Sequence, residues 1–269
     1  MAVELVFEKK SRLSHAISDT LVMIRRSSTH IIRNTDQLFG AFFQPIMFLI
    51  LFATVFGGAI SNALPPGVTY LNFLMAGIIV QTVAFGSTTT AIAVCNDLQK
   101  GIVDRFRSLP MNNLAVLAGH VVSDLFRNAI STTVMLLTGL LIGFRSSASF
   151  VEWLYIAGLL LLFTFAFSWL AAIVGVLAKS VEAVQWLTFV IIFPLTFAST
   201  TFVPAQGMNR VLKAFALNQP ITQVVEAIRA LILGTPIGNH AWLSVIWSVG
   251  ILIVAVPLAS VLYGRKTSQ

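Results

Sequence analysis

The chain has 269 residues, of which 57% are hydrophobic and only 10% charged, with a formal net charge of +7 and a mean hydropathy of +0.89. A soluble domain carries about 25% charged residues, so this composition excludes an ordinary soluble enzyme or binding module and points to an integral membrane protein. The lone cysteine, Cys95, excludes an intrachain disulfide framework and reads as a reduced packing residue.

Residues 1–37 are polar and charged and contain no apolar stretch of the kind a cleavable signal peptide needs. Within them Leu13, Ala16, Ile17, Thr20, Leu21 and Ile24 recur at helical spacing ahead of Arg25 and Arg26, which predicts an amphipathic helix lying in the headgroup region. A soluble helix packed on a partner is the plainer alternative. A crossing takes about 20 apolar residues at about 1.5 Å each. On that measure the first span is predicted over 38–60 and the second over 70–95, joined by the short turn-rich "SNALPPGVTY".

The stretch "NDLQKGIVDRFRSLP", residues 96–110, interrupts this apolar sequence. Ile102, Val103, Phe106 and Leu109 fall on one helical face and Asp104, Arg105, Arg107 and Ser108 on the other, which predicts a short amphipathic helix. Pro110 ends it, Gly101 permits a bend, and Asp97 is expected to act as hinge and cap near its start. An interfacial helix that merely terminates two spans is the alternative to a surface presented to a partner.

The third span, 114–144, is too long for a simple crossing and holds His120, Asp124 and Arg127 at i, i+4 and i+7. Asp124 can pair with either neighbour along that face. A proton relay or substrate counter-ion competes with structural pairing for these residues, and pairing is preferred. The fourth span is predicted over 153–178, the fifth over 183–203 and the sixth over 241–263, with Pro194 and Pro257 expected to kink the last two. Between the fifth and sixth, residues 204–240 are too long for a turn and too polar to cross. Two short helices around an Asn218-Gln219-Pro220 break are expected there, dipping into the outer leaflet against the other spans, with Glu226 and Arg229 paired at low burial.

Six crossings put Lys9, Lys10, Arg12, Arg25, Arg26 and Arg33 on the same side as Lys100, Arg105, Arg107, Lys179, Arg265 and Lys266. The opposite side has only Arg145, Arg210, Lys213 and Arg229. Both termini are therefore expected in the cytoplasm, with a six-span bundle over 38–263 and a tail over 264–269. The positive charge is accounted for by this topology and does not argue for nucleic acid. No repeat or linker divides the chain, so one membrane domain over 1–269 is expected.

No G-x-x-x-x-G-K-[ST] occurs, nor any Gly-Lys pair, so no P-loop cradles a nucleotide phosphate. There is no CxxC, HExxH or G-x-S-x-G, and His15, His30, His120 and His240 are scattered, so neither a metal site nor a nucleophilic enzyme is supported.

"GIVDRFRSLPM" resembles the coupling-helix region of type 2 ABC exporter permeases of the daunorubicin-resistance type, and "NQPITQVVEAIRALILG" is similar to the segment before their last span. The resemblance implies an all-α fold of six transmembrane helices with an interfacial N-terminal helix, a cytoplasmic coupling helix and an outer re-entrant hairpin. It implies no catalysis in this chain: a second copy of itself or a homologous permease completes the path, and two separate ATPase subunits bind ATP and Mg. By position, Gly101, Ile102, Asp104, Arg105, Phe106, Arg107, Leu109 and Pro110 would dock on the ATPase, with a minor contact through Lys179 and Glu182. The resembled fold lines its path with the first, second and fifth spans, where Gln44, Gln81, Ser87, Thr88, Thr89, Gln185 and Thr188 are the polar candidates and Phe48, Phe85 and Phe189 the aromatic ones. Mostly apolar walls with a few polar groups suit an amphipathic drug, lipid or secondary metabolite; Ser and Thr bonding to their own helices, with aromatics filling the core, is the plainer account. A lipid-linked glycan exporter and a proton-coupled secondary transporter are the rival functions; the latter usually shows repeated halves, and none is seen.

Overall fold

A computed structural model describes the backbone over 35–99 and 113–267 and the side chains over 43–99 and 116–267. The expected N-terminal interfacial helix and the 101–110 helix lie outside the described residues. Everything described is helix or connecting turn.

The first apolar stretch is helix α1, Thr35–Leu51, continued by a π-helical turn, Phe52–Phe56, and the short α2, Gly57–Ser61. In the widened turn Thr54 Oγ1 donates to Ile50 O at 2.7 Å. The second stretch is α3, Tyr70–Gly86, and α4, Thr88–Gln99, broken only at Ser87. Asn96 to Gln99 are the last turn of α4. Asp97 thus lies within α4, whose described residues run four past Cys95; its expected role as hinge and cap concerns residues 101–110, which lie outside the described residues. Helix α5, Asn113–Ile142, is a single 30-residue rod, and α6, Phe150–Leu177, follows a short turn.

Helix α6 begins at a capping box: Ser149 Oγ accepts from Glu152 N at 3.4 Å, and Glu152 Oε2 accepts from Ser149 N at 2.6 Å. Helix α7, Val181–Phe197, is capped by Ser180 and stops six residues short of the expected end of the fifth span. Beyond it the hydroxyls take over the backbone. Ser199 Oγ donates to Thr196 O at 2.5 Å and accepts from Thr201 N at 3.0 Å, which folds the chain into a turn whose residues 199–202 are buried. Then come α8, Arg210–Asn218, α9, Pro220–Leu233, and α10, His240–Thr267. Both α7 and α10 run on through their prolines.

Among the described residues, five helical segments are long and apolar enough to cross a membrane: Phe43–Ser61, Tyr70–Gln99, Val116–Ile142, Phe150–Leu177 and His240–Thr267. Helix α7, at 17 residues, is a shorter apolar helix. The expected pair of helices between the fifth and sixth apolar stretches is present, but its two members differ. Helix α9 is buried along most of its length against α3, α6 and α10, whereas in α8 only Ala216 is buried.

The α3/α4 rod and α6 form the centre, and α1, α7 and α10 present broad apolar faces outward. Close approach at the centre depends on small residues. A Cβ on Gly175 of α6 would sit 2.4 Å from Ala91 O and 2.9 Å from Ala91 Cα, so α6 and α4 touch backbone to backbone. Gly175→Val is accordingly expected to cost about 2–3 kcal/mol by overpacking and to cut the monodisperse peak in size-exclusion chromatography. Gly158→Ala, on the same helix with no atom within 4 Å of the added carbon, is the control and should be neutral or mildly stabilising. Equal behaviour of the two variants would contradict this packing.

Candidate functional site

Two polar arrangements and one aromatic one stand out in the bundle. The first lies where α3 stops. Ending a helix at Gly86 frees carbonyls inside apolar surroundings, and these need donors. Arg127 Nη2 supplies one to Gly86 O at 2.8 Å and Thr89 Oγ1 another at 2.9 Å, while Ser87 Oγ donates to Ala84 O at 2.7 Å. Arg127 forms an ion pair with Asp124, one helical turn earlier. Asp124, 1% exposed, also accepts from Ser168 Oγ of α6 at 2.5 Å and from Thr89 Oγ1 at 3.4 Å. One carboxylate and one guanidinium thus balance, and their remaining bonds go to α3, α4 and α6. Beside them Asn128 packs so tightly on Gly86 that a Cβ there would lie 2.0 Å from its Oδ1.

The second arrangement is at the end of the bundle where α4 finishes and α5 begins. His120 does not pair with Asp124; its Nε2 lies 3.0 Å from Asp97 Oδ2 of α4, and both side chains are largely buried. The expected single row of charges on α5 is therefore two separate pairs, each tying α5 to the α3/α4 rod. At the same end Gln99 Nε2 donates to Lys179 O at 2.7 Å, and Lys266 Nζ reaches Val176 O and, at 3.1 Å, Ala178 O.

The third arrangement is an aromatic ladder. On α7, Trp186, Phe189, Phe193 and Phe197 step along one face with ring centroids 6.3, 4.9 and 4.2 Å apart. Phe197 continues at 4.8 Å to Phe202, which stacks at 4.4 Å on Phe52 of the π turn. From Phe52 the stack branches to Phe56 at 5.0 Å and Phe48 at 5.9 Å. Trp186 is 69% exposed and Phe189 45%, so the upper part of the ladder is open on this chain.

The path candidates divide accordingly. Phe48 and Phe189 belong to the ladder, and Gln44 and Gln185 are exposed on α1 and α7 beside it. Gln81 is buried in the core of the single chain, and Phe85 and Thr88 are half-buried. Thr188 Oγ1 bonds back to its own helix, as the plainer account expects, whereas Ser87 and Thr89 donate to carbonyls at the end of α3 and Thr89 also reaches Asp124. Phe52, Phe193, Phe197 and Phe202 were not singled out, although Phe48-Phe52-Phe56 and Phe189-Phe193-Phe197 stand at i, i+4 spacing in the sequence. Asp97, Ser168 and Gly86 carry no such signal.

The pairing of Glu226 with Arg229 holds at 2.7 Å, but its low expected burial does not, for the Arg229 side chain is only 5% exposed. Its Nε donates to Phe73 O at 3.1 Å, its Nη2 to Thr200 O at 2.8 Å, and its guanidinium lies 3.6 Å from the Phe73 ring centroid. Helix α9 is sunk among the spans, so the arginine on its inner face is sunk with it. Among the described residues no group of three or more His, Cys, Asp or Glu is placed to hold a metal ion.

Among the described residues, five helical segments fit to cross a bilayer, with buried charges paired between them, define a multi-pass membrane protein. Residues 18–233 match the family described as ABC-2 type transporter. The daunorubicin resistance ABC transporter permease protein DrrB1 of Streptomyces coeruleorubidus is 31% identical over 254 residues, covering 94% of this chain and 89% of the relative. The probable doxorubicin resistance ABC transporter permease protein DrrC of Mycobacterium tuberculosis (strain CDC 1551 / Oshkosh) is 26% identical over 250 residues, covering 90% and 87%. A putative transport permease, ycf38, of Cyanophora paradoxa is 26% identical over 218 residues, covering 80% and 74%. The chain belongs to the ABC-2 type transporter family.

Proposed function

We propose that this chain is the permease subunit of an ATP-driven exporter that moves an amphipathic drug, lipid or secondary metabolite out across a bacterial cytoplasmic membrane. Two copies, or this chain and a homologous permease, would form the path, and two separate ATP-binding subunits would supply the work. The permease itself makes and breaks no covalent bond. Relatives named as a daunorubicin resistance permease and a probable doxorubicin resistance permease support a drug as the substrate. The observation that carries the proposal is the aromatic ladder on α1 and α7, whose Trp186, Phe189 and Phe193 rings are open on the single chain and which Gln44 and Gln185 flank. Such a face stacks flat apolar rings and offers a few hydrogen bonds at its edge.

Six crossings with both termini cytoplasmic complete the proposal. Helix α7 is short, yet its first turn lies beside Lys179 and Gln99 at one end, while Phe197 and Phe202 meet the α1 side near Tyr70 at the other, which supports it as the fifth of six crossings. The 204–240 segment would then close the outer end.

Docking on the ATP-binding subunit is assigned to residues 101–110. Arg105→Glu and Phe106→Ala are expected to leave the permease inserted at normal levels while abolishing daunorubicin-stimulated ATP hydrolysis and daunorubicin efflux. Membrane fractionation, hydrolysis assays and efflux measured side by side test this. Unchanged stimulation and efflux in both variants would remove the docking assignment.

A further inference from the structure

The two pairs on α5 sit at different depths and do different mechanical jobs. Asp124 and Arg127 close off a helix break inside the bundle. Asp97 and His120 join α4 to α5 near the described ends of the two helices, Gln99 and Asn113. Two helices held together only by apolar side chains can slide past each other at modest cost, whereas a shielded imidazole–carboxylate hydrogen bond at 3.0 Å resists separation in a low-dielectric setting.

We infer that the Asp97–His120 pair is a transmission strut, making both positioning residues for the transport cycle; this rests on the exporter function proposed above. The strut makes α4 and α5 respond as one body. From α4 the load has a defined exit, because Gln99 Nε2 holds Lys179 O in the turn that leads into α7. Behind that bond, Ala91 and Cys95 of α4 pack with Ala178 and Val184, small side chains that leave little room for slip. Helix α7 carries the upper ladder. The route therefore runs from the α4 and α5 ends, through Asp97–His120 and Gln99–Lys179, to the face proposed to contact substrate. Lys266 fixes α10 to the end of α6 at the same level, giving the moving helices a frame.

The test uses the whole complex, purified from native membranes through a tag on the permease and reconstituted with daunorubicin as probe. ATP hydrolysed per daunorubicin transported is measured for the unaltered complex, Asp97→Asn, His120→Gln, and the exchanged pair Asp97→His with His120→Asp. The single variants are expected to keep their ATP-binding subunits and basal hydrolysis but to raise the ratio roughly fivefold or more, the span of ordinary coupling energies. The exchanged pair should return most of the way to the original ratio. An unchanged ratio in both single variants overturns the strut while the exporter function stands. Loss of assembly in the single variants without recovery in the exchanged pair also overturns it, by making the contact a plain folding contact. If the unaltered complex contains no ATP-binding subunit or moves no daunorubicin on ATP, the exporter function fails and the strut falls with it.

Discussion

Arg127→Met is expected to cost about 3–5 kcal/mol, the usual penalty for stranding one member of a buried ion pair. Asp124 would keep Ser168 and Thr89 as donors but lose its countercharge at 1% exposure, and Gly86 O would lose its closest donor. Against a total stability of about 5–15 kcal/mol for a typical domain, most of the chain should then fail to accumulate in the membrane. The double variant Asp124→Leu with Arg127→Met removes both charges and should recover much of the loss, since a buried pair replaced by apolar groups is often nearly neutral. Thermal unfolding in detergent, followed by size-exclusion chromatography, compares the three proteins. A single variant as stable as the parent would contradict the assignment of this pair as the seal on the α3/α4 break.

Arg229→Leu should be comparably severe for a different reason. The guanidinium holds three elements at once: α3 through Phe73 O and the Phe73 ring, the turn after α7 through Thr200 O, and its own helix through Glu226. Leucine strips its donor from Thr200 O at about 1–3 kcal/mol, removes the second donor to Phe73 O, strands Glu226, and gives up a shielded cation–π contact of about 2 kcal/mol. Part of this is returned by the apolar area leucine buries, for a net loss of about 3–5 kcal/mol. Arg229→Lys tests the geometry rather than the charge. A lysine has no planar fork to reach both carbonyls and stack on a ring, so it should recover less than half of the thermal midpoint. Parental stability in Arg229→Lys would show that the charge alone matters there.

Much of the architecture could be read from hydropathy, because a bilayer demands long uncharged helices and the sequence contains them. The apolar stretches at 38–60, 70–95, 114–144, 153–178 and 241–263 all correspond to helices of crossing length. What hydropathy does not register is where a helix changes geometry without changing polarity. The π turn at Phe52–Phe56 and the break at Ser87 both lie in evenly apolar sequence. The early end of α7 was legible in principle, since "STT" offers three hydroxyls to compete for the backbone, but the apolar residues on either side masked it.

Partner choice was harder to read than position. The charges on α5 were visible as intramembrane residues that need an explanation, and their spacing suggested pairing along one helix. His120 instead pairs across to Asp97, since Asp124 is engaged by Arg127, Ser168 and Thr89. Only the packing of α4 on α5 decides that. The aromatic ladder is the reverse case, a pattern at i, i+4 in two separate helices whose meeting at Phe202 no local rule would predict.

The central claim is that this permease transports by drawing on ATP hydrolysis in a separate subunit. The most direct measurement is daunorubicin transport by the purified complex in proteoliposomes, with ATP supplied on the ATPase side. The complex should accumulate drug on the opposite side only with hydrolysable ATP, and should stop when the catalytic glutamate of the ATP-binding subunit is replaced by glutamine. Transport that persists in that variant, or that runs on a proton gradient without nucleotide, would contradict the account.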